Sequence, residues 1–271
     1  MTENWDNWNF LDNKPDSDAV LTEAGWEIPL KGTDPSKGLT ELIVTKNDPI
    51  HDFHMHNQIP KLWLDASETD SILNVNGDVY QWIDKSTDNR SVIQTQEAYQ
   101  PQTGVAEING LNALRFDGSR LETNFNASGY TNFTGYIVLR PLNNSGNRMM
   151  LDQSNGGVGF YFEARGNDFH FFTYTPNNRL RNDNVYNPET LIVEFIKTAT
   201  YKEVTVNGVT TRIDIATGPI TNSADMSIGA RVDQLNRFLQ ADVGEISLYD
   251  KELTLEDRLG IRSYLERKWI G

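Results

Sequence analysis

Length, composition and charge already exclude several classes of function. The chain has 271 residues and carries 38 acidic against 24 basic side chains, a formal net charge of −14. Nucleic-acid binding depends on Lys and Arg that displace counterions, so this balance argues against a nucleic-acid partner and against an anionic membrane surface. No apolar run approaches the ~20 residues needed to cross a bilayer. Because the chain has no cysteine, it holds no disulfide and no thiolate metal site.

Residues 1–60 differ in composition from the rest of the chain. They hold 11 acidic and 4 basic residues, and they lack a sustained helical or strand period except at "LTELIV", 39–44. Disordered tails are usually poor in aromatic residues, but this segment contains Trp5, Trp8, Phe10 and Trp26. We interpret it as an extended arm whose aromatic side chains either anchor a partner protein or fold back over the same chain.

The first residues, "MTENWDNWNF", show no basic region followed by an apolar core, and so do not read as a signal peptide. Together with the absence of cysteine, this favours assembly in a reducing cytoplasm.

A histidine cluster, "HDFHMH", lies where the arm ends. His54 and His56 would share one face of a strand, and with His51 they could form an open zinc site. The segment lacks a nearby fixed carboxylate and lies between Pro49 and Pro60. A polar linker is therefore the preferred interpretation, and we predict no metal and no cofactor.

From residue 61 onward, short β-branched or aromatic runs are bounded by Gly, Asn, Asp or Pro. Such spacing with so little helix predicts an all-β, two-sheet antiparallel sandwich. Asn207-Gly208 and Gly166-Asn167 lie between consecutive runs and predict hairpin turns. The runs lie at 78–84, 112–117, 134–140, 148–152, 158–164, 168–174, 190–196, 202–206, 209–214, 224–230 and 242–249.

The stretch "YTPNNRLRNDNVYN", 174–187, is predicted to form a long loop between two of these runs. Long loops are often functional, and sugar sites combine an aromatic platform with a few amide or charged groups. The same residue types are also ordinary in loops. The candidates for glycan binding are Tyr174, Asn177, Asn178, Arg179, Arg181 and Tyr186.

The C-terminus is predicted to be helical. Thr254 followed by Asp257 resembles a capping box, although the usual partner at the third position is Glu or Gln. Basic residues near the end suit the negative pole of a helix. Apolar residues recur at near-helical spacing at Leu255, Leu259, Ile261, Leu265 and Trp269.

Four stretches carry a resemblance to a known family: "LWLDASETDSI", "VYQWIDKST", "NGLNALRFDGSRLET" and "GEISLYDKELTLEDRLGIRSYLERKWIG". Together they resemble the laminin-G-like, concanavalin A-like jelly roll found in bacterial and phage proteins, over residues 61–271. The resemblance implies two stacked, curved antiparallel sheets, with the first core strand near Trp63 close to the last strand around Ile246. It implies less about function, because this fold serves lectins, glycosidases, adhesion modules and virion proteins.

Three carboxylates in "LWLDASETDS" raise the question of a chemical site. The resemblance places Asp65, Glu68 and Asp70 in the turn after a strand, where Asp and Ser bond to backbone N–H groups. A calcium site would need six to eight oxygen ligands. We interpret the stretch as part of the fold, with Asp65 capping or pairing locally.

Glycosidase chemistry is not indicated. Retaining glycosidases of this fold resemble one another in placing a nucleophile and an acid on one strand, as Glu-x-Asp-x-x-Glu, about 5 Å apart. Here Glu194 and Glu245 each lack an acidic neighbour two or four residues away. His170 has no Ser or Asp context for a nucleophilic triad. We predict that the protein is not an enzyme.

The stretch "GWEIPLKGTDPSKGLTELIV" resembles the short leaders of tailed-phage virion proteins. We therefore expect a phage virion structural protein, a capsid decoration or appendage protein assembled in the host cytoplasm. Its arm, 1–60, would bind capsid or other virion proteins, and its jelly roll, 61–271, would project outward; a homo-oligomer would suit a symmetric particle. The alternative is a carbohydrate-binding adhesion module that recognises a bacterial surface glycan.

Overall fold

The computed structural model describes residues 20–22, 25–28, 42–44, 58–90, 92–155, 158–174, 177–221, 224–232 and 236–271. The chain divides into two units, residues 1–57 with 254–264 and residues 58–253 with 265–271. In the first unit the backbone forms a three-stranded antiparallel sheet of β1 (Val20–Thr22), β2 (Gly25–Ile28) and β3 (Leu42–Val44).

Several predicted residues fall outside the described ranges. They are Trp5, Trp8 and Phe10 of the arm and the histidines His51, His54 and His56. Trp26 lies in β2. The arm at residues 1–60 and its aromatic contacts therefore stay predictions.

The second unit consists mainly of antiparallel strands, as its alternating sequence pattern predicts. The strands are β4 (Leu62–Asp65), β5 (Ile72–Val75), β6 (Asp78–Trp82), β7 (Val92–Ile93), β8 (Gln102–Ile108), β9 (Leu111–Asp117), β10 (Leu121–Thr123), β11 (Phe133–Pro141), β12 (Asn147–Asp152), β13 (Phe160–Arg165), β14 (Asp168–Tyr174), β15 (Asn177–Asn182), β16 (Leu191–Lys197), β17 (Tyr201–Val206), β18 (Val209–Asp214), β19 (Met226–Ile228) and β20 (Gln240–Tyr249).

The strands are arranged in two layers. One layer runs β18-β17-β16-β11-β20, and the two halves of β20 then pair with β9 and β4. The other runs β15-β14-β13-β12-β19-β10-β7-β6-β5. Strand β8 pairs with β9 and touches β6, which joins the layers. The predicted two-sheet antiparallel sandwich is confirmed.

Aromatic side chains fill the space between the layers. The ring of Phe133 on β11 lies 5.1 Å from that of Phe160 on β13, and Phe195 on β16 lies 4.8 Å from Phe162. Each fully buried Phe stabilises the fold by about 1.5–3 kcal/mol relative to an exposed one. Gly135 is required here, because a Cβ at this position would lie 2.2 Å from the ring of Phe195.

Both predicted hairpin turns are present. Asn207 and Gly208 have φ values of 44° and 82° and join Val206 to its partner Val209, as a type I′ turn requires. Gly166-Asn167 joins β13 to β14. The predicted long loop at 174–187 is wrong, since residues 177–182 form β15, which pairs along its length with β14.

The predicted C-terminal helix is α1 (Leu255–Trp269). Its start is capped as expected: the Asp257 N–H donates to Thr254 Oγ1 at 3.2 Å, and that hydroxyl donates to Asp257 Oδ2 at 2.6 Å. Within the described part of the chain, no helix is long and apolar enough to span a bilayer.

Candidate functional site

The residues that carry the family resemblance meet in one place in the second unit. Strand β4, the turn after β6, strand β20 and the end of α1 each contribute side chains to a buried network. We call it the tryptophan–carboxylate cluster, and its members are Trp63, Asp65, Lys85, Glu245, Lys268 and Trp269.

Two carboxylates form the centre of the tryptophan–carboxylate cluster. Asp65 and Glu245 are direct partners in the pairing of β4 with β20, and each is 1% exposed. The Lys268 ammonium donates to Asp65 Oδ2 at 2.7 Å and to Glu245 Oε2 at 2.9 Å. The indole N–H groups of Trp63 and Trp269 each donate to Glu245 at 2.8 Å.

Asp65 also fulfils the role that its turn position predicts. Its Oδ1 accepts hydrogen bonds from the backbone and hydroxyl of Ser67, and its Oδ2 accepts from Lys85 at 3.0 Å. Gly244 is needed beside the cluster, because a Cβ there would lie 2.9 Å from the ring of Trp269. The opening stretch of the second unit thus closes strand β4 onto β20 and the helix end.

The pKa values of Asp65 and Glu245 are shifted in opposite directions, as in an acid–base site, but neither carboxylate is accessible to solvent. Burial opposes ionisation of Asp65, yet Lys268, Ser67 and Lys85 outweigh it and hold its pKa below the usual value. Burial raises the pKa of Glu245, with Lys268 opposing. Divergent carboxyl pKa values can mark an acid and a base. Here all four oxygens already accept hydrogen bonds and are shielded from solvent, so the cluster stabilises the fold.

A different arrangement lies on the outer face of β13–β15. Side chains alternate along a strand. Phe160 and Phe162 of β13 and Phe169 and Phe171 of β14 fill the core, so the intervening residues face outward. In register across the strands, Tyr161 is opposite Phe172, and Phe172 is opposite Arg179. Tyr161 stacks on Phe172 at 4.8 Å, and Tyr174 packs edge-on against Phe172 at 4.7 Å. We call these three residues the aromatic face.

A cavity of about 100 Å³ opens beside the aromatic face. Residues from β12–β14 form one side, and Arg231 and Arg237 lie on the other. The backbone at both arginines is held on β12, because the Met149 N–H donates to the Arg237 carbonyl at 2.7 Å and the Val232 N–H donates to Asp152 at 2.9 Å. We call this the arginine cavity, and its lining residues are Met149, Ser154, Tyr161, Arg165, Tyr174, Arg231 and Arg237.

A buried glutamate orients two of these arginines. Glu163, which is fully buried, accepts a hydrogen bond from Arg165 Nε and another from Arg237 Nη1, the latter at 3.0 Å. Burial raises the pKa of Tyr161, and Glu163 adds to the effect. Burial also raises the pKa of Asp152, and Ser154 opposes it by donating to that carboxyl. Among the residues that the structure describes, the charged side chains that line the cavity are all cationic.

The predicted glycan residues do not all reach this face. Tyr174, Arg179 and Arg181 lie on its outward positions, and Asn177 begins β15. Asn178 pairs with Thr173 on the core-facing side. Tyr186 is buried, 5.3 Å from Phe169 and under the guanidinium of Arg148 at 4.6 Å.

Sequence reasoning missed most of the cavity. Tyr161 and Phe172 lie at alternating positions of the predicted strands 158–164 and 168–174, and Arg165 follows the first of them. Extending that alternation could have placed all three on the outer face. Arg231 and Arg237 come from a segment about 65 residues further along the chain, and no local pattern links them to β13. His170, predicted to be a paired or exposed strand residue, is 5% exposed, and neither ring nitrogen has a hydrogen-bond partner among the described residues.

A metal site was not predicted. In the part of the chain that the structure describes, no group of three or more His, Asp and Glu side chains is arranged to hold a metal ion.

Solved structures of botulinum neurotoxin binding domains share this fold. The serotype D binding domain is 14% identical, with a TM-score of 0.58 over 79% of this chain and 53% of that chain. The serotype D ligand binding domain in complex with N-acetylneuraminic acid is 15% identical, with a TM-score of 0.57 over 78% and 52%. The receptor binding domain of mosaic serotype C/D is 16% identical, with a TM-score of 0.56 over 77% and 51%.

This chain spans about half the length of those structures, and at such identity the likeness shows the fold alone. No protein-family model and no curated protein matches the chain.

Proposed function

We propose that the protein is a non-enzymatic carbohydrate-binding module and that the aromatic face with the arginine cavity is its binding site. The observation that carries the proposal is the juxtaposition of three outward-facing aromatic rings with a concavity rich in hydrogen-bond donors. Sugar sites combine an apolar platform with a few convergent polar groups. Tyr174 and Phe172 are partly exposed and supply the platform, while Arg165 and Arg237 supply donors.

The structural neighbours support the proposal through the ligand that one of them binds. One of them is a ligand binding domain in complex with N-acetylneuraminic acid, a sugar. The fold therefore serves proteins with a binding function, which fits a glycan-binding role for this chain better than a purely structural one. The laminin-G-like and concanavalin A-like resemblance of the sequence is compatible with the same role.

The test is a glycan panel with the full chain and two single variants. Tyr174→Ala removes part of the aromatic platform, and Arg179→Ala removes an exposed cation beside it. A buried aromatic contact contributes about 1.5–3 kcal/mol, so Tyr174→Ala should weaken binding at least tenfold while the thermal unfolding midpoint changes little.

A second depression supplies a matched control. It has a volume of about 270 Å³ and is lined by Val75, Asp78, Tyr80, Thr95, Glu97 and Gln100. Tyr80→Ala removes an exposed aromatic ring there and should leave glycan affinity unchanged. Loss of binding in Tyr80→Ala but not in Tyr174→Ala would place the glycan site at the second depression. Failure of the wild-type chain to bind any glycan of the panel would refute the proposed function.

The virion role is a second candidate, favoured by the sequence of the N-terminal segment. As a capsid decoration or appendage protein located in the virion, the chain would bind capsid proteins through residues 1–60 and present its sandwich outward. Deleting residues 1–60 should then leave a folded sandwich that no longer joins the particle. Retained incorporation of the truncated chain would exclude this attachment.

A further inference from the structure

The arginine cavity is too small for a whole sugar ring. Its volume of about 100 Å³ is about a third of the roughly 300 Å³ at which pockets that enclose entire ligands start. A substituent of a sugar fits this volume, while the ring itself would remain on the aromatic face outside.

The charges of the cavity select the kind of substituent. Three arginines line it, and two carboxylates, Glu163 and Asp152, lie beside it. Counted over the described residues and with both carboxylates ionised, the three arginines leave one positive charge in excess. The chain as a whole has a net charge of −14. The positive charge at the cavity is opposite in sign to that net charge and indicates a site for an anion.

Two of the arginines are oriented and still have donors to offer. A guanidinium has five N–H donors in a fixed fork. Glu163 accepts from Arg165 Nε and from Arg237 Nη1, which fixes both side chains while most of their donors stay uncommitted to Glu163. Charge-assisted bonds from such a fork to a carboxylate or sulfate are short and strong.

From this geometry we infer that the module recognises acidic glycans, and that a sugar carboxylate or sulfate enters the arginine cavity between Arg165, Arg231 and Arg237. This inference rests on the proposed carbohydrate-binding function and narrows it to a ligand class. Neutral glycans lack the group that the cavity is built to receive.

The surroundings of His170 indicate the same local excess of positive charge. It is 5% exposed, and neither ring nitrogen has a hydrogen-bond partner among the described residues. Its in-register neighbours are Glu163 on β13 and Arg181 on β15, with Arg165, Arg179 and its own strand's Asp168 nearby. Burial, followed by Arg165 and Arg179, lowers its pKa to about 4, with Arg181 adding and Asp168 opposing. An anion bound to these arginines would raise that pKa.

The experiment compares acidic sugars with their own neutral esters. Sialyllactose, a glucuronic-acid disaccharide and a sulfated lactose are titrated into the full chain by calorimetry, beside the carboxyl methyl esters of the first two and lactose. The expected result is at least tenfold tighter binding of an acidic member than of its neutral counterpart, since hydrogen bonds to charged groups contribute more than neutral ones. The carboxylate and sulfate arms report which anion is preferred.

Variants assign the effect to the cavity. Arg237 has a φ of 54°, a conformation that Asn tolerates, so Arg237→Asn removes the charge without backbone strain. It should lose at least tenfold in affinity for the acidic sugar and nothing for the neutral one. Arg165→Gln is the second variant. Arg212→Gln is the control, because this exposed arginine on β18 pairs with Asp214 and its loss should change affinity less than twofold.

The outcomes separate the two proposals. Equal binding of acid and ester, abolished by Tyr174→Ala, would overturn the acidic-glycan inference and leave the carbohydrate function standing. Absence of binding by every sugar would overturn both. If Arg237→Asn does not fold, the pKa of His170, measured by NMR and assigned with His170→Gln, decides: a rise with bound acid supports the cavity, and no change refutes it.

Discussion

Two buried glutamates of the sandwich differ in how many hydrogen-bond donors their partners have left. Glu245 accepts from Trp63, Trp269 and Lys268, and Glu163 accepts from Arg165 and Arg237. An indole has one N–H, so Trp63 and Trp269 have no donor left after binding Glu245. The guanidiniums of Arg165 and Arg237 keep several N–H groups that do not bond to Glu163.

The second difference is the space around each carboxylate. Glu245 lies against Asp65 beneath two indoles, whereas Glu163 lies beside an open volume of about 100 Å³. A buried ion pair does not by itself mark a functional site, because structural ion-pair networks also perturb pKa values. We therefore distinguish two cases. A carboxylate that orients donor-rich cations at a cavity marks a binding site, whereas a carboxylate whose partner indoles have no donor left marks a structural cluster.

The largest expected effect is in the tryptophan–carboxylate cluster. Lys268→Met leaves Asp65 and Glu245 buried with one cation, Lys85, in place of two. Breaking a buried ion pair on one side costs about 3–5 kcal/mol, so the free energy of unfolding, measured by urea denaturation, should fall by about that amount. Glycan affinity of the folded variant should stay at the wild-type value. A loss below about 1 kcal/mol would contradict the structural role.

The next effect is a pH dependence of stability that arises at His170, near Arg165 of the arginine cavity. The folded pKa of His170 is about 4, against an ordinary value of 6.5. Between these values only the unfolded chain takes up the proton, so stability is complete above pH 6.5 and is lost as the pH falls towards 4. The expected slope is about 1.4 kcal/mol per pH unit.

His170→Gln tests this slope in a series of denaturation curves from pH 7 to pH 4. The variant should lose the His170 part of the slope. Asp65, whose pKa is lowered from 3.8, contributes its own slope only near and below pH 4, at the acidic end of the series. Superimposable pH profiles of the two proteins would show that His170 titrates normally.

The fold was largely readable from the sequence, and the candidate site was not. Strand alternation and helix capping are local signals. The first located the hairpin at Asn207-Gly208, and the second located the start of the helix at Thr254. The stretches that carry the resemblance to laminin-G-like jelly rolls contain Trp63, Lys85 and Glu245, and these residues are members of the tryptophan–carboxylate cluster. Motifs that hold a fold together carry information about the fold.

The candidate site was not predicted from the sequence, and the reason is physical. Arg237 meets Glu163 across 74 residues, and nothing local in either segment specifies that contact. The stretch 174–187 was predicted as a loop because Asn and Arg are common in loops, but pairing with β14 overrides that preference and directs alternate residues to opposite faces. Tyr186 was therefore placed on a surface that it does not reach.

A smaller effect is expected for the stability of the arginine cavity. Arg237→Asn removes one of two cations that pair with Glu163, and Arg165 remains to bond to that carboxylate. A charged hydrogen bond contributes about 1.5–3 kcal/mol, so the loss should be about 1–2 kcal/mol, clearly less than that of Lys268→Met under the same denaturation conditions. An equal or larger loss would mean that Glu163 belongs to a structural cluster as Glu245 does.

The smallest effect separates two arginines that the sequence treats alike. Arg181 is more than half exposed, pairs with Asp168 at 2.9 Å and also with Asp183, whereas no ion pair of Arg179 with the described residues is found. Exposed pairs contribute about 0–1 kcal/mol, so Arg181→Gln should change stability by less than about 0.5 kcal/mol. Because its guanidinium is already shared by two carboxylates, affinity for an acidic glycan should change less than twofold. A tenfold loss would instead extend the binding site along β15, beyond the arginine cavity and towards the turn at Asp183.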